Sequence, residues 1–205
     1  MSRIELAGAL WPDSKQRQAG ANLRTALWRI GQAVGKGWAE TADGGLSLPP
    51  LQVRVDLREI SPVCQRLATG GSPGAAPEAA FDEGTVAQLC KRLLPGWHDD
   101  WLLLEQERWD QLRLHALEAA SRLLTARGNH ALAIEAALVA ARSEPLRESA
   151  HRAVVSAYLA EGNLGAALKH YHGFKALLLR ELGVTPTSSM DDLIRPLVYP
   201  SGAEP

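Results

Sequence analysis

Residues 123–134, LLTARGNHALAI, and residues 157–168, AYLAEGNLGAAL, can be laid one upon the other. Gly128 then meets Gly162, Asn129 meets Asn163, Ala126 meets Ala160, Ala133 meets Ala167 and Ile134 meets Leu168, at a constant offset of 34 positions. Each Gly follows one apolar helical stretch and precedes another, which fits the left-handed position just past a helix end. Small residues such as Ala133 and Ala167 let paired helices approach closely. Tyr171, four positions after Ala167, is expected to fill the space between units, and Pro145 stands where a helix must stop.

An offset of 34 is the tetratricopeptide period. Two visible repeats with flanking helices predict a mainly α fold containing a short right-handed α-helical array. Helical patterning extends back to Thr85. Before it, ATGGSPGAAPEAAFDEG (68–84) is rich in Gly, Pro and Ala without periodicity and reads as a flexible loop. ISPVCQRL (60–67), just ahead of that loop, looks helical. In TADGGLSLPPLQVRVDL (41–57), Asp43, Gly44 and Gly45 give a tight turn. Leu51, Val53 and Val55 alternate with polar residues at the period of a half-buried strand, so a small hairpin is expected here. The boundary then falls near Glu59, giving regions 1–59 and 60–205.

Net charge over the 205 residues is −1, but it is unevenly spread. Residues 1–36 carry Arg3, Lys15, Arg17, Arg24, Arg29 and Lys36 against Glu5 and Asp13, so the front is basic and the remainder acidic. A short helix (IELAGALW, 4–11) and a turn (PDSK, 12–15) precede a helix over about 18–34. At about 100° per residue, Ala19, Leu23, Ala26, Leu27, Ile30 and Val34 form an apolar stripe. Gln18, Asn22, Thr25, Arg29, Gln32 and Lys36 lie on another face, and no Asp or Glu occurs from Ser14 to Ala39. Asn and Gln can pair with adenine edges, Arg with guanine, and the Thr methyl can touch the methyl of thymine. Helix, turn, reading helix and hairpin wing is a known way of placing one helix in a major groove.

LAGALWPD (6–13), ANLRTALWRI (21–30), GGLSLPPLQVRVDL (44–57), LLPGWHDDWLLLEQERWDQLRLHALE (93–118), the run from EPLRE (144–148) to LLLRELGVTP (177–186) and SSMDDLIRPL (188–197) together resemble bacterial transcriptional activators of the antibiotic regulatory protein type. The resemblance implies a response-regulator-like winged helix followed by a tetratricopeptide-like bacterial transcriptional activator domain. It places Asn22, Arg24, Thr25, Arg29 and Gln32 on the recognition helix, beside Gln18 and Lys36, with residues near 43–48 as the wing. The implied partners are double-stranded promoter DNA and RNA polymerase or another protein, with a possible homodimer on DNA. Members carry a short sheet and a further helix ahead of the LAGALW helix. The expectation is therefore a partial winged helix-turn-helix, in which Leu23, Leu27 and Ile30 lack cover worth roughly 1.5 to 3 kcal/mol each. That shortage also supports an alternative, a protein-interaction module that has lost DNA binding.

Other chemistry finds little support. The sequence has no glycine-rich phosphate loop, GxSxG or HExxH, and nothing sets a nucleophile beside a base, so neither enzymatic activity nor a cofactor is expected. Cys64 and Cys90 have no CxxC or Cys/His cluster near them and read as buried or inert thiols. His98, Asp99 and Asp100 point apart on a helix, and His170 and His172 flank Tyr171 at the wrong spacing to share a metal. Trp97, Trp101 and Trp109 are expected on one helix face in the core. Without a signal peptide pattern or a long apolar run, the expected location is cytoplasmic, with no membrane contact.

Overall fold

Capping fixes where the first helix begins. In the computed structural model, which describes residues 1–35, 37–42, 45–49, 52–69 and 83–198, the Ser2 hydroxyl accepts from the Glu5 amide at 3.1 Å. The Glu5 carboxylate in turn accepts from the Ser2 amide at 2.9 Å. This capping box starts helix α1 (Arg3–Leu10), and its hydrogen bonds hold the Glu5 carboxyl below the usual range. Pro12 follows the end of α1, and α2 (Gln16–Val34) begins after a short turn with no side-chain cap at Lys15. The two helices meet on buried Ala7, Ala19 and Leu23, with Leu6, Leu10, Trp11, Leu27 and Leu46 partly covered around them.

Strand β1 (Glu40–Ala42) pairs antiparallel with β2 (Gly45–Ser47), Glu40 opposite Ser47 and Thr41 opposite Leu46. The chain start adds a rung to this hairpin: Ser2 bridges to Gly45, and the Leu46 amide donates to the Met1 carbonyl at 2.9 Å. The expected second strand at 51–55 is corrected here. Pro49 lies in a turn, its carbonyl accepting from the amides of Gln52 (3.1 Å) and Val53 (3.0 Å). Two consecutive prolines cannot donate to a ladder, so the alternation of Val53 and Val55 finds no strand to pair with. Leu51, like Asp43 and Gly44 of the hairpin turn, lies outside the described residues.

The remaining helices are α3 (Asp56–Ala68), α4 (Glu83–Leu89), α5 (Asp100–Ala126), α6 (His130–Ser143), α7 (Glu148–Glu161), α8 (Leu164–Leu182) and α9 (Ser188–Val198). The fold is thus mainly α. Most of the stretch read as a loop, 70–82, lies outside the described residues, while Ala68 closes α3 and Glu83 opens α4. The chain forms two compact units, Met1–Leu57 with Gly96–Glu105, and Arg58–Pro95 with Gln106–Pro205.

Within the second unit α7 packs against α6 and α8. The two Gly-Asn turns match closely. Gly128 (φ 76°) and Gly162 (φ 85°) adopt positive φ, and the following amides reach back, Asn129 to the Leu124 carbonyl and Asn163 to the Tyr158 carbonyl, both at 2.9 Å. Each Asn side chain then caps the next helix, Asn129 accepting from Leu132 at 3.4 Å and Asn163 from Ala166 at 3.1 Å. Ala133, Ala136, Ala137, Ala140, Ala150, Ala157 and Ala167 are fully buried. A second cluster gathers Val155, Ala167, Tyr171, Phe174, Leu178, Met190 and Ile194, and the Tyr171 hydroxyl donates to Asp191 at 2.6 Å.

The tryptophan stripe is also corrected. Pro95 and Gly96, the latter at φ 87°, keep residues 90–99 out of any helix, so Trp97 precedes α5. Trp97 and Trp101 are exposed and only Trp109 is buried, its indole N–H donating to the Lys91 carbonyl at 3.4 Å.

Candidate nucleic-acid interface

Helical geometry decides which of the candidate side chains share a surface. Gln18, Asn22, Thr25, Arg29 and Gln32 fall within one sector of α2, all exposed except half-buried Asn22. The Gln18 amide donates to the Asn22 carbonyl oxygen at 3.0 Å, which holds two side chains able to read bases side by side. The Thr25 hydroxyl donates to the Ala21 carbonyl at 3.1 Å, leaving its methyl as the free contact. Arg24 does not join them. Six positions after Gln18 it stands about 240° around the helix, where it lines a groove of about 360 Å3 with Gly20 and Leu23 of α2 and Ile4, Ala7 and Trp11 of the α1 side. Lys36 lies outside the described residues.

The apolar stripe is only half covered. Ala19 and Leu23 are buried, whereas Ile30 is 41% and Val34 63% exposed. The reason lies in the length of α1, eight residues against nineteen in α2, so it covers only the first turns. Trp28 is exposed as well.

Positive charge is concentrated on α2 rather than spread over the unit, in which eight Asp and Glu stand against seven Lys and Arg. No acidic residue sits in the first turn of α2 and no side chain caps its amides, so the positive end of the helix dipole is uncompensated and is reinforced by Lys15 and Arg17. Among the described residues no carboxylate pairs with Lys15, Arg17, Arg24 or Arg29. Arg3 is held by the hairpin, donating to the Thr41 hydroxyl at 3.1 Å.

Sequence reasoning missed the polar ties of the second unit. Arg113, 1% exposed, donates to Asp110 Oδ1 (3.1 and 3.2 Å), Ser143 Oγ (3.1 Å) and the Leu89 carbonyl (3.4 Å). Glu118, also buried, accepts from Arg147 Nε at 2.6 Å and from the Ser149 hydroxyl at 2.7 Å. His151 pairs with His170, nineteen positions on. Its Nε2–H donates to the Pro145 carbonyl, which leaves Nδ1 to accept from His170 Nε2–H, both at 2.9 Å. The imidazole stacks on Phe174 with ring centroids 4.0 Å apart. Burial, and then the neighbouring His170, push the His151 pKa down to about 4, and burial lowers that of His170. Burial raises the thiol of Cys64 to about 11 and raises that of Cys90 as well. Among the described residues no three His, Cys, Asp or Glu side chains gather to hold a metal, and no helix is long and apolar enough to cross a membrane.

Residues 79–197 match the bacterial transcriptional activator domain family. The chain belongs to that family. It is also similar to the regulatory protein AfsR of Streptomyces griseus, 26% identical over 197 residues, and to the AfsR of Streptomyces coelicolor, 26% identical over 200. Each match covers 92% of this chain but only 20% and 19% of the relative, so the chain spans about a fifth of their length.

Proposed function

We propose that this member of the family is a cytoplasmic transcriptional activator that reads promoter DNA with α2 and contacts RNA polymerase or another protein through its helical repeats. One observation carries the DNA reading: Gln18, Asn22, Thr25, Arg29 and Gln32 form a single surface on a helix whose Arg17, Arg24 and Arg29 have no carboxylate partner among the described residues. The helix, turn, helix and hairpin order, with the chain start bridged to β2, supports a winged helix-turn-helix in region 1–59. The matched Gly-Asn turns support a tetratricopeptide-like array in region 60–205. Arg29, Asn22 and Gln18 are assigned to base edges, Thr25 and Gln32 to flanking contacts, and Arg24 and Lys36 to backbone phosphates. Two copies paired on repeated sites would present two such helices.

Electrophoretic and anisotropy titrations against promoter fragments test this. Arg29→Ala should weaken specific binding by about 1 to 3 kcal/mol, while Lys36→Ala should lower affinity for all sequences and flatten the salt dependence. The open groove between α1 and α2, with Ile30 and Val34 exposed, favours a second reading: an interaction module that does not read DNA. Under that reading the same titrations show no sequence preference.

A further inference from the structure

A polar cleft lies between α5 and α7 in the second unit. Ser121, Arg122 and Thr125 of α5 and Ser149, Arg152 and Ser156 of α7 line it, and it encloses about 200 Å3. The three α7 residues recur at i, i+3 and i+7 and so share one helix face.

Its charge is unbalanced. Among the described residues no carboxylate pairs with Arg122 or Arg152. The acid beside the cleft, Glu118, is already neutralised by Arg147 at 2.6 Å. The Ser149 hydroxyl is spoken for too, donating to Glu118 and accepting from Arg147 Nε at 3.2 Å. The hydroxyls of Ser121, Thr125 and Ser156 have no hydrogen-bond partner among the described residues, although Ser121 is only 1% exposed. Exposed Arg122, half-buried Arg152 and three hydroxyl-bearing side chains thus line one small cleft, with no hydrogen-bond or ion-pair partner among the described residues.

We propose that this cleft binds a phosphate monoester dianion. A carboxylate has two oxygens and one charge, which a single bidentate arginine satisfies. Donors on both walls and a local charge of two instead match a group with three terminal oxygens and nearly two negative charges. The site lies on α5 and α7 and rests on nothing in the DNA-binding reading.

Isothermal titration of the full chain at constant ionic strength and neutral pH tests it, with inorganic phosphate, O-phosphoserine, dimethyl phosphate and acetate as probes. Inorganic phosphate and O-phosphoserine should bind saturably, and whichever binds tighter identifies a free ion or a phosphorylated ligand as the source. Dimethyl phosphate and acetate should bind far more weakly. Arg122→Gln and Arg152→Gln should each weaken phosphate binding about thirtyfold or more, with circular dichroism unchanged. Arg142→Gln, exposed and outside the cleft, should leave it as it is. Acetate matching phosphate, both variants binding like wild type, or no saturable binding of phosphate would each overturn the proposal.

Discussion

Between α6, α7 and α8 the touching surfaces join fully buried alanines to Val155, Tyr171 and Phe174, and Gly-Asn turns cap the starts of α6 and α8, although α7, like α2, starts without a side-chain cap. Between α1 and α2 the buried set is Ala7, Ala19 and Leu23, α2 starts uncapped, and Ile4, Trp28, Ile30 and Val34 stand in solvent. Apart from the cleft of Arg122 and Arg152, the buried polar side chains of the repeats are spent on ties such as Glu118 to Arg147. The front leaves polar, cationic and apolar side chains unspent, as a surface that meets a partner must.

Four perturbations break or sharpen this contrast. The largest effect is expected from Glu118→Ala, which strands Arg147 and Ser149 beside a buried position. Urea denaturation should show a loss of about 3 to 5 kcal/mol, and a loss under 1 kcal/mol would mean the tie is not what holds the repeats. Next comes acid. Because His151 is neutral in the fold, the unfolded chain binds the extra proton. Its contribution is complete above the ordinary pKa of 6.5 and is lost as pH falls toward about 4, on the order of 3 kcal/mol in all. His151→Phe should flatten that part of the stability profile, and an unchanged slope would place the acid sensitivity elsewhere. In the front, Leu23→Ala should cost about 2 kcal/mol, at the low end for such a truncation because the site is shallow. Hydrogen exchange should show the lost protection in α1 and α2; equal loss in α7 would erase the contrast. The smallest effect is a ranking: Asn163→Ala should cost about 1 kcal/mol and Asn129→Ala less, since its capping bond is longer, 3.4 against 3.1 Å. Thermal melts resolve the order, and its reversal would mean that the caps are not limiting.

What could be read from sequence tracks the range of the interaction. The Gly-Asn turns, the caps and the polar face of α2 are set by residues within one or two turns of each other, so spacing alone located them. The hairpin is legible in the sequence, but its second strand lies at Gly45–Ser47 rather than under the alternation of Val53 and Val55, which follows two prolines that cannot join a ladder. The spacing of Trp97 from Trp101 mimics a helix face, but Pro95 and Gly96 bar helix there. Coverage is a tertiary matter, and periodicity could not say that the cover would stop before Ile30. The His151–His170 pair, the Arg113 ties and the cleft of Arg122 and Arg152 join residues of different helices, and no local pattern carried them. For the histidines the local cue misleads, since His172 lies beside His170 in sequence while its partner, His151, stands on α7.

The central claim is that one face of α2 reads bases. Anisotropy titration compares wild type with Gln18→Ala/Asn22→Ala/Arg29→Ala on a promoter duplex and on a scrambled duplex of equal length, over a series of salt concentrations. The account predicts that wild type prefers the promoter and that the triple variant loses this preference while keeping weaker, salt-sensitive binding to both. Equal binding of wild type and variant to both duplexes would contradict it.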